Sequence, residues 1–309
     1  MPAELALAAV IGTALCLYFL LGGADFGGGV WDLLATGPRA AAQRRAVEDA
    51  IGPVWEVNHV WLILVVVVLF TGFPAAFAAI SVAMHVPLTL FLIGVVLRGS
   101  AFAFRGVHAA GRAAERRLGL VFSIASLVAP VLLGMVVGAL VSGRIRVEDA
   151  IVTSGFFAPW LAPFPVATGL FALALCAYLA ATYLTVEVHD PALREDFRHR
   201  DLGAGIAVGA LALAAFLLSR DGAPRVHAAL LARRWSWPFH ALTAAAAAQT
   251  AFILLGWGLA QLPFLVVPDL TLADAAASPP TLRLLLIVLA AGVPVLVPSL
   301  VLLFRVFTR

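Results

Sequence analysis

The uncharged runs in this chain are too long for a water-facing protein to hide. Residues 5–24, 118–143 and 284–304 contain no Asp, Glu, Lys or Arg, and residues 57–97 contain none over about twice the length of one membrane crossing. A bilayer hydrocarbon core is about 30 Å thick and takes about 20 helical residues at about 1.5 Å each. Inside lipid every backbone N–H and C=O must find its partner within the protein, and an α-helix provides those partners along its own length. Composition agrees with a lipid solvent. Hydrophobic residues make up 63% and charged residues 12%, where soluble chains run about 45–50% and about 25%. The expected fold class is all-α, a polytopic membrane protein.

Eight transmembrane helices fit the breaks in this pattern. After 5–24, the turn signal Thr71-Gly72-Phe73-Pro74 divides the long run into 54–72 and 79–98. The fourth span is 118–143, and Pro159, Pro163 and Pro165 push the fifth to 164–186. Spans at 202–219, 239–262 and 284–304 complete the count, with 202–219 about as short as a crossing can be. Eight helices divide into two four-helix bundles, residues 1–150 and 151–309. Gly134 and Gly138, four apart, suit close helix contact.

Charge excludes several functions and sets a direction. Each of the 20 Lys+Arg positions is Arg, so chemistry that needs a lysine amine is out. The net charge of +3 is spread over loops and predicts no nucleic-acid partner. Cys16 and Cys176 lie in separate apolar runs with no CxxC or CxxCH motif. Glu4 stands where a cleaved signal would carry basic residues, so the N-terminal segment reads as a retained first span. The loop after the third span carries Arg98, Arg105, Arg112, Arg116 and Arg117 against Glu115. Arginine-rich short loops stay on the cytoplasmic side, which places both termini outside.

Ionisable residues inside a span are costly and tend to carry function. The first group, Gly52-Pro53-Val54-Trp55-Glu56-Val57-Asn58-His59-Val60-Trp61, opens the second span. Pro53 suits a first helical position, Glu56 falls in the first turn, and His59 lies three residues on along the same face. Trp55 is four from His59 and three from Asn58, so one face offers a carboxyl, an imidazole, an amide and an indole. Such a carboxyl, tuned by desolvation and a neighbouring imidazole, suits handing protons inward. The plainer reading is a first-turn acid favoured by the helix dipole, beside interface tryptophans. A lone membrane histidine such as His59 is more often a hydrogen-bonded structural residue than a haem or metal ligand.

The second group, Gly22-Gly23-Ala24-Asp25-Phe26-Gly27-Gly28-Gly29-Val30-Trp31-Asp32, ends the first span. Its glycines permit a sharp turn or a close backbone approach. Asp25 is either a second carboxyl at the mouth beside Glu56 or a helix cap. The third group, Leu97-Arg98-Gly99-Ser100-Ala101-Phe102-Ala103-Phe104-Arg105, closes the third span. There Arg98 is either an anchor at the membrane edge or the counter-charge of a buried acid or cofactor carboxylate.

In this order and at these helix ends, the three groups resemble subunit II of the cytochrome bd-type quinol oxidases. The matching stretches are Gly23-Ala24-Asp25-Phe26-Gly27, Gly52 to Trp61 running on to Phe73-Pro74, and Leu97-Arg98-Gly99 through Arg105. The resemblance implies a terminal respiratory oxidase of a bacterial inner membrane, taking electrons from quinol and reducing oxygen to water. It implies a partner subunit I carrying b-type and d-type haems and the quinol site, a small single-helix accessory subunit, and contact with membrane lipid. This chain would stabilise the haem subunit and relay protons or oxygen to it, binding no cofactor or metal itself. By position, Glu56 matches an acid proposed for proton uptake, with Trp55 beside it; Asp25 and Arg98 also match, and Asn58 and His59 support the relay. Ala103 departs from the pattern, which has an acid between the two phenylalanines. The alternative, a proton-coupled small-solute transporter using the same carboxyls, calls for paired interrupted helices in the two halves, which the sequence does not display.

Overall fold

The computed structural model describes residues 2–51, 58–105, 111–149, 151–232, 259, 261–266 and 268–307. Trp55, Glu56 and most of the expected seventh span at 239–262 lie outside the described residues.

The first span does not stop at Ala24. α1 (Ala3–Leu17) passes through a π-helical turn, Tyr18–Gly22, into α2 (Gly23–Leu33), and the whole Ala3–Leu33 segment counts 31 residues. The glycine-rich group is therefore helix, and of the two roles open to its glycines the structure uses close approach. A Cβ on Gly27 would stand 1.9 Å from the Cys176 carbonyl oxygen, and one on Gly29 2.2 Å from Ser126 Cβ. These bare positions let α2 lie directly against α7 (Gly111–Val141) and α8 (Pro163–Glu187). Trp31 Nε1 donates to the Ala177 carbonyl oxygen of α8 at 2.8 Å and fixes that contact. α8, which begins the second half of the chain, thus packs on two helices of the first half.

After α3 (Ala40–Ile51), α4 (His59–Gly72) ends where the turn signal places its end. Phe73 leaves helical geometry at φ −137°, ψ 60°, and Pro74 starts a new helix. The third crossing, however, does not begin at 79. A short α5 (Pro74–Ala83) is bent 119° from α4, and the crossing is α6 (His85–Arg105). Met84 breaks the run at φ −111°, ψ 16°. Pro87, in the first turn of α6, has no N–H to continue the α5 ladder.

The expected sixth span is also longer. α9 (Pro191–Gly222) has 32 residues because Asp190 caps it, its Oδ1 accepting from Ala192 N at 2.8 Å and Leu193 N at 3.1 Å. α10 (Pro224–Ala232), α11 (Leu272–Ala275) and α12 (Pro279–Phe307) follow. Among the described residues, six helices are long and apolar enough to cross a membrane, or seven if bent α4–α5 is one span. The protein is multi-pass.

Polar contacts mark the two ends of the bundle. At one end Arg39 pairs with Asp196, Gln43 Nε2 donates to Asp196 Oδ2 at 2.8 Å, and Arg200 donates to Gln43 Oε1 at 2.7 Å. At the other end lie two small hairpins, β1 (Val147–Glu148) with β2 (Ile151–Val152) and β3 (Phe264–Val266) with β4 (Leu270–Thr271). Asp269 joins them, accepting from Val147 N at 2.7 Å and facing Arg146 at 3.4 Å.

Candidate functional site

Asp25 is neither at a mouth nor a cap. It is 3% exposed and sits in the first turn of α2, inside a continuous helix that extends roughly 12 Å beyond it to Leu33. Asn58 immediately precedes α4, where its side chain would ordinarily cap its own helix. It makes no such cap. Instead Asn58 Nδ2 crosses to α2, donating to Asp25 Oδ2 at 2.6 Å and to the Leu21 carbonyl oxygen at 3.0 Å. Leu21 belongs to the π-helical turn, a distortion that shifts the backbone ladder and recurs at functional sites.

His59, one residue on, turns toward α1–α2. Its Nδ1 lies 3.4 Å from Tyr18 Oη, and its ring centroid lies 5.9 Å from Tyr18 and 6.3 Å from Phe26. The imidazole faces the aromatic side chains of Tyr18 and Phe26. Among the described residues no three His, Cys, Asp or Glu side chains gather as a metal site.

Arg98 resolves toward one of its two readings. α6 continues to Arg105, so Arg98 does not close the span, and at 1% exposure it is no membrane-edge anchor. Its Nε donates to Ser126 Oγ at 3.1 Å, and its guanidinium lies 4.8 Å from the Phe26 ring centroid and 5.5 Å from that of Phe122. Aromatic faces attract a cation through their quadrupole, and the opposite charge of Asp25 attracts it as well. The arrangement is a buried carboxylate on α2 and a buried guanidinium on α6, the acid held by an amide and the cation by a hydroxyl and two rings. Asn58 Oδ1, His59 Nε2, Trp61 Nε1 and Arg98 Nη2 are buried without a partner among the described residues. Each such atom costs about 1–3 kcal/mol if nothing completes it.

The structure therefore brings together Asp25, Asn58, His59 and Arg98, while Trp55 and Glu56 lie outside the described residues. It adds Tyr18, Phe26 and Ser126, which the sequence reading did not single out. The signal for Ser126 was its place in an apolar run, five residues from Val131 and three from Ser123. Two hydroxyls one turn apart on a membrane helix are a weak polar stripe.

With this geometry in place, the comparisons with known proteins decide the family. A family model for cytochrome bd terminal oxidase subunit II matches residues 3–307. The chain belongs to that family. A Bacillus subtilis (strain 168) protein provisionally named as subunit II of a cytochrome bd menaquinol oxidase is 22% identical over 95% of this chain and 92% of its own length. The Escherichia coli (strain K12) cytochrome bd-I ubiquinol oxidase subunit 2 is 28% identical over 57% of this chain and 46% of its own length. In fold, the chain is similar to the bd oxidase from Geobacillus thermodenitrificans, with a TM-score of 0.80, 23% identity and 99% coverage of both chains. Asp25, Asn58 and Arg98 are thus polar residues inside a subunit II of a terminal oxidase, and the buried carboxylate is read in that setting.

Proposed function

We propose that this subunit II carries protons through the membrane to an oxygen-reducing centre in a haem-bearing subunit I, with Asp25 as the central carboxyl. Quinol supplies the electrons, b-type and d-type haems in subunit I carry them to oxygen, and reduction of oxygen to water consumes protons that have to reach a site inside the membrane. The residues of this chain bind and hold those protons. Asp25 takes and releases one at its carboxyl oxygens, Asn58 fixes the carboxyl by its amide, and Arg98 balances its charge when ionised. His59 and Tyr18 form a second polar pair on the same side, and Glu56 with Trp55, close by in sequence, belongs to the same relay. The arginine-rich end is the cytoplasmic one, following the positive-inside rule. The seventh span at 239–262, which completes a count of eight, a single-helix accessory subunit and bound lipid belong to the same reading of the complex, in a bacterial inner membrane.

One observation carries the proposal: a carboxylate 3% exposed within a membrane helix, hydrogen-bonded by a side chain from a second helix and attracted by a buried cation from a third. Intramembrane acids of this kind are expensive and kept for function. The test is Asp25→Asn in the purified two-subunit oxidase. We expect oxygen-consumption turnover to fall about hundredfold, the scale of a lost proton-transfer group, with haem content and the reduced-minus-oxidised spectrum unchanged. Full turnover in that variant would remove Asp25 from the proton path.

A further inference from the structure

Among the described residues, the two buried charges of the Asp25 site do not touch: no hydrogen bond or ion pair joins Arg98 to Asp25. Each still acts on the other across the gap. Buried opposite charges within reach of one another gain most by closing to direct contact. Arg98 instead keeps Nη2 without a partner. The guanidinium is held back.

The hold comes from α7, which packs both on α6, the helix of Arg98, and on α2, the helix of Asp25. Phe122 and Ser126 are four residues apart on α7 and so share one face. Ser126 is 0% exposed, and its hydroxyl oxygen accepts from Arg98 Nε at 3.1 Å. The Phe122 ring centroid lies 5.5 Å from the same guanidinium, and that of Phe26, the residue after Asp25, 4.8 Å from it. Gly29, one turn beyond Asp25 on α2, admits Ser126 to this place. A Cβ on Gly29 would stand 2.2 Å from Ser126 Cβ and 2.6 Å from its Oγ. The hydroxyl gives the direction that the rings do not. An aromatic face attracts a cation over its whole area, whereas a hydrogen bond aims the Nε–H and with it the planar guanidinium.

We propose that Ser126 is a positioning residue for proton transfer at Asp25, holding Arg98 near enough to balance the carboxylate and too far to clamp it. The proposal rests on the reading of Asp25 as a proton carrier. A guanidinium in direct contact keeps a carboxylate ionised, and a carboxylate kept so carries no protons. Held at a distance, the cation offsets the buried charge and leaves both forms of the acid usable. Arg98 stays protonated throughout; the O–H bond that forms and breaks is the one at Asp25. Without the Ser126 hydroxyl, Arg98 swings onto Asp25 and locks it.

The experiment uses the purified two-subunit oxidase, as wild type and carrying S126A, D25N or both, with turnover measured in H2O and in D2O. We expect S126A to keep its haem content and reduced-minus-oxidised spectrum while turnover falls about tenfold, the scale of one hydrogen bond to a charged group. Its H2O/D2O rate ratio should rise above that of wild type, because proton transfer at Asp25 becomes the slow step. Damaged packing alone removes active enzyme and leaves that ratio where it was. In the D25N background S126A should add little, since the two residues act on one step. Wild-type turnover in S126A overturns the proposal, and so does slower turnover with an unchanged isotope ratio. A fall in turnover that follows loss of haem assigns Ser126 to packing and overturns it too. An equal fall in both backgrounds also does so, because Ser126 would then act without Asp25. Failure of the Asp25 reading is separate and appears as full turnover in D25N alone.

Discussion

α8 and α9 are neighbours in sequence and both are apolar enough to cross a membrane, yet they face different surroundings. In its most apolar stretch α8 is 67% buried inside the protein, against 17% for α9 and 6% for α12. α9 turns Ile206, Leu213 and Leu217 outward at 75%, 58% and 60% exposure, as a lipid-facing helix does. α8 presents Cys176, Leu179 and Ala180, all buried, to Gly23 and Gly27 of α2. Lipid tails are as apolar as leucine, so hydropathy does not tell a protein-facing helix from a lipid-facing one. Small residues that permit backbone approach, and polar groups that have to be paired, do.

Three substitutions test that contrast. Gly27→Ala, in the α2–α8 contact, puts a Cβ 1.9 Å from a backbone oxygen of α8. The cost should exceed the ~3 kcal/mol usual for overpacking, read as loss of assembled, haem-containing oxidase or a large drop in Tm. A Tm within error of wild type would mean that the seam is looser than described. Arg98→Ala leaves Asp25 without its buried counter-charge and Ser126 without its donor, and should destabilise the complex by ~3 kcal/mol. Thermal unfolding of the purified oxidase measures it, and an unchanged Tm would show that Asp25 does not depend on Arg98. Gly209→Ala, on the outer face of α9 with nothing within 4 Å of its added Cβ, should be neutral or stabilise by up to about 1 kcal/mol through helix propensity. A clear loss of assembly there would place a protein partner, not lipid, on that face.

Much of this was legible in the chain. The uncharged runs required membrane helices, the Phe73-Pro74 break fell where its turn signal put it, and the motif groups pointed to the family. Asp25 and Arg98 were recognisable as residues out of place, but each carried two readings. Nothing local distinguishes a helix cap from a buried acid, because the difference is what the neighbouring helices bring to it. Likewise the glycine-rich group reads as a turn or as a contact until α8 is seen lying against it. The second break, at Met84, was missed because an apolar run masks a change of direction. Only Pro87 hinted at it.

The sequence by itself determined that this chain lies in a membrane, that it spans it many times as helices, and which polar residues it carries inside. Those follow from solvent chemistry, since lipid satisfies no backbone group and solvates no charge. The tertiary structure decided which polar residues meet. Asn58 reaches Asp25 across 33 residues, Ser126 meets Arg98 across 28, and Ser123 meets Asp32 across 91. Such pairings depend on how α2 packs against its neighbours, and that packing is a sum of many close contacts that no short stretch of sequence contains.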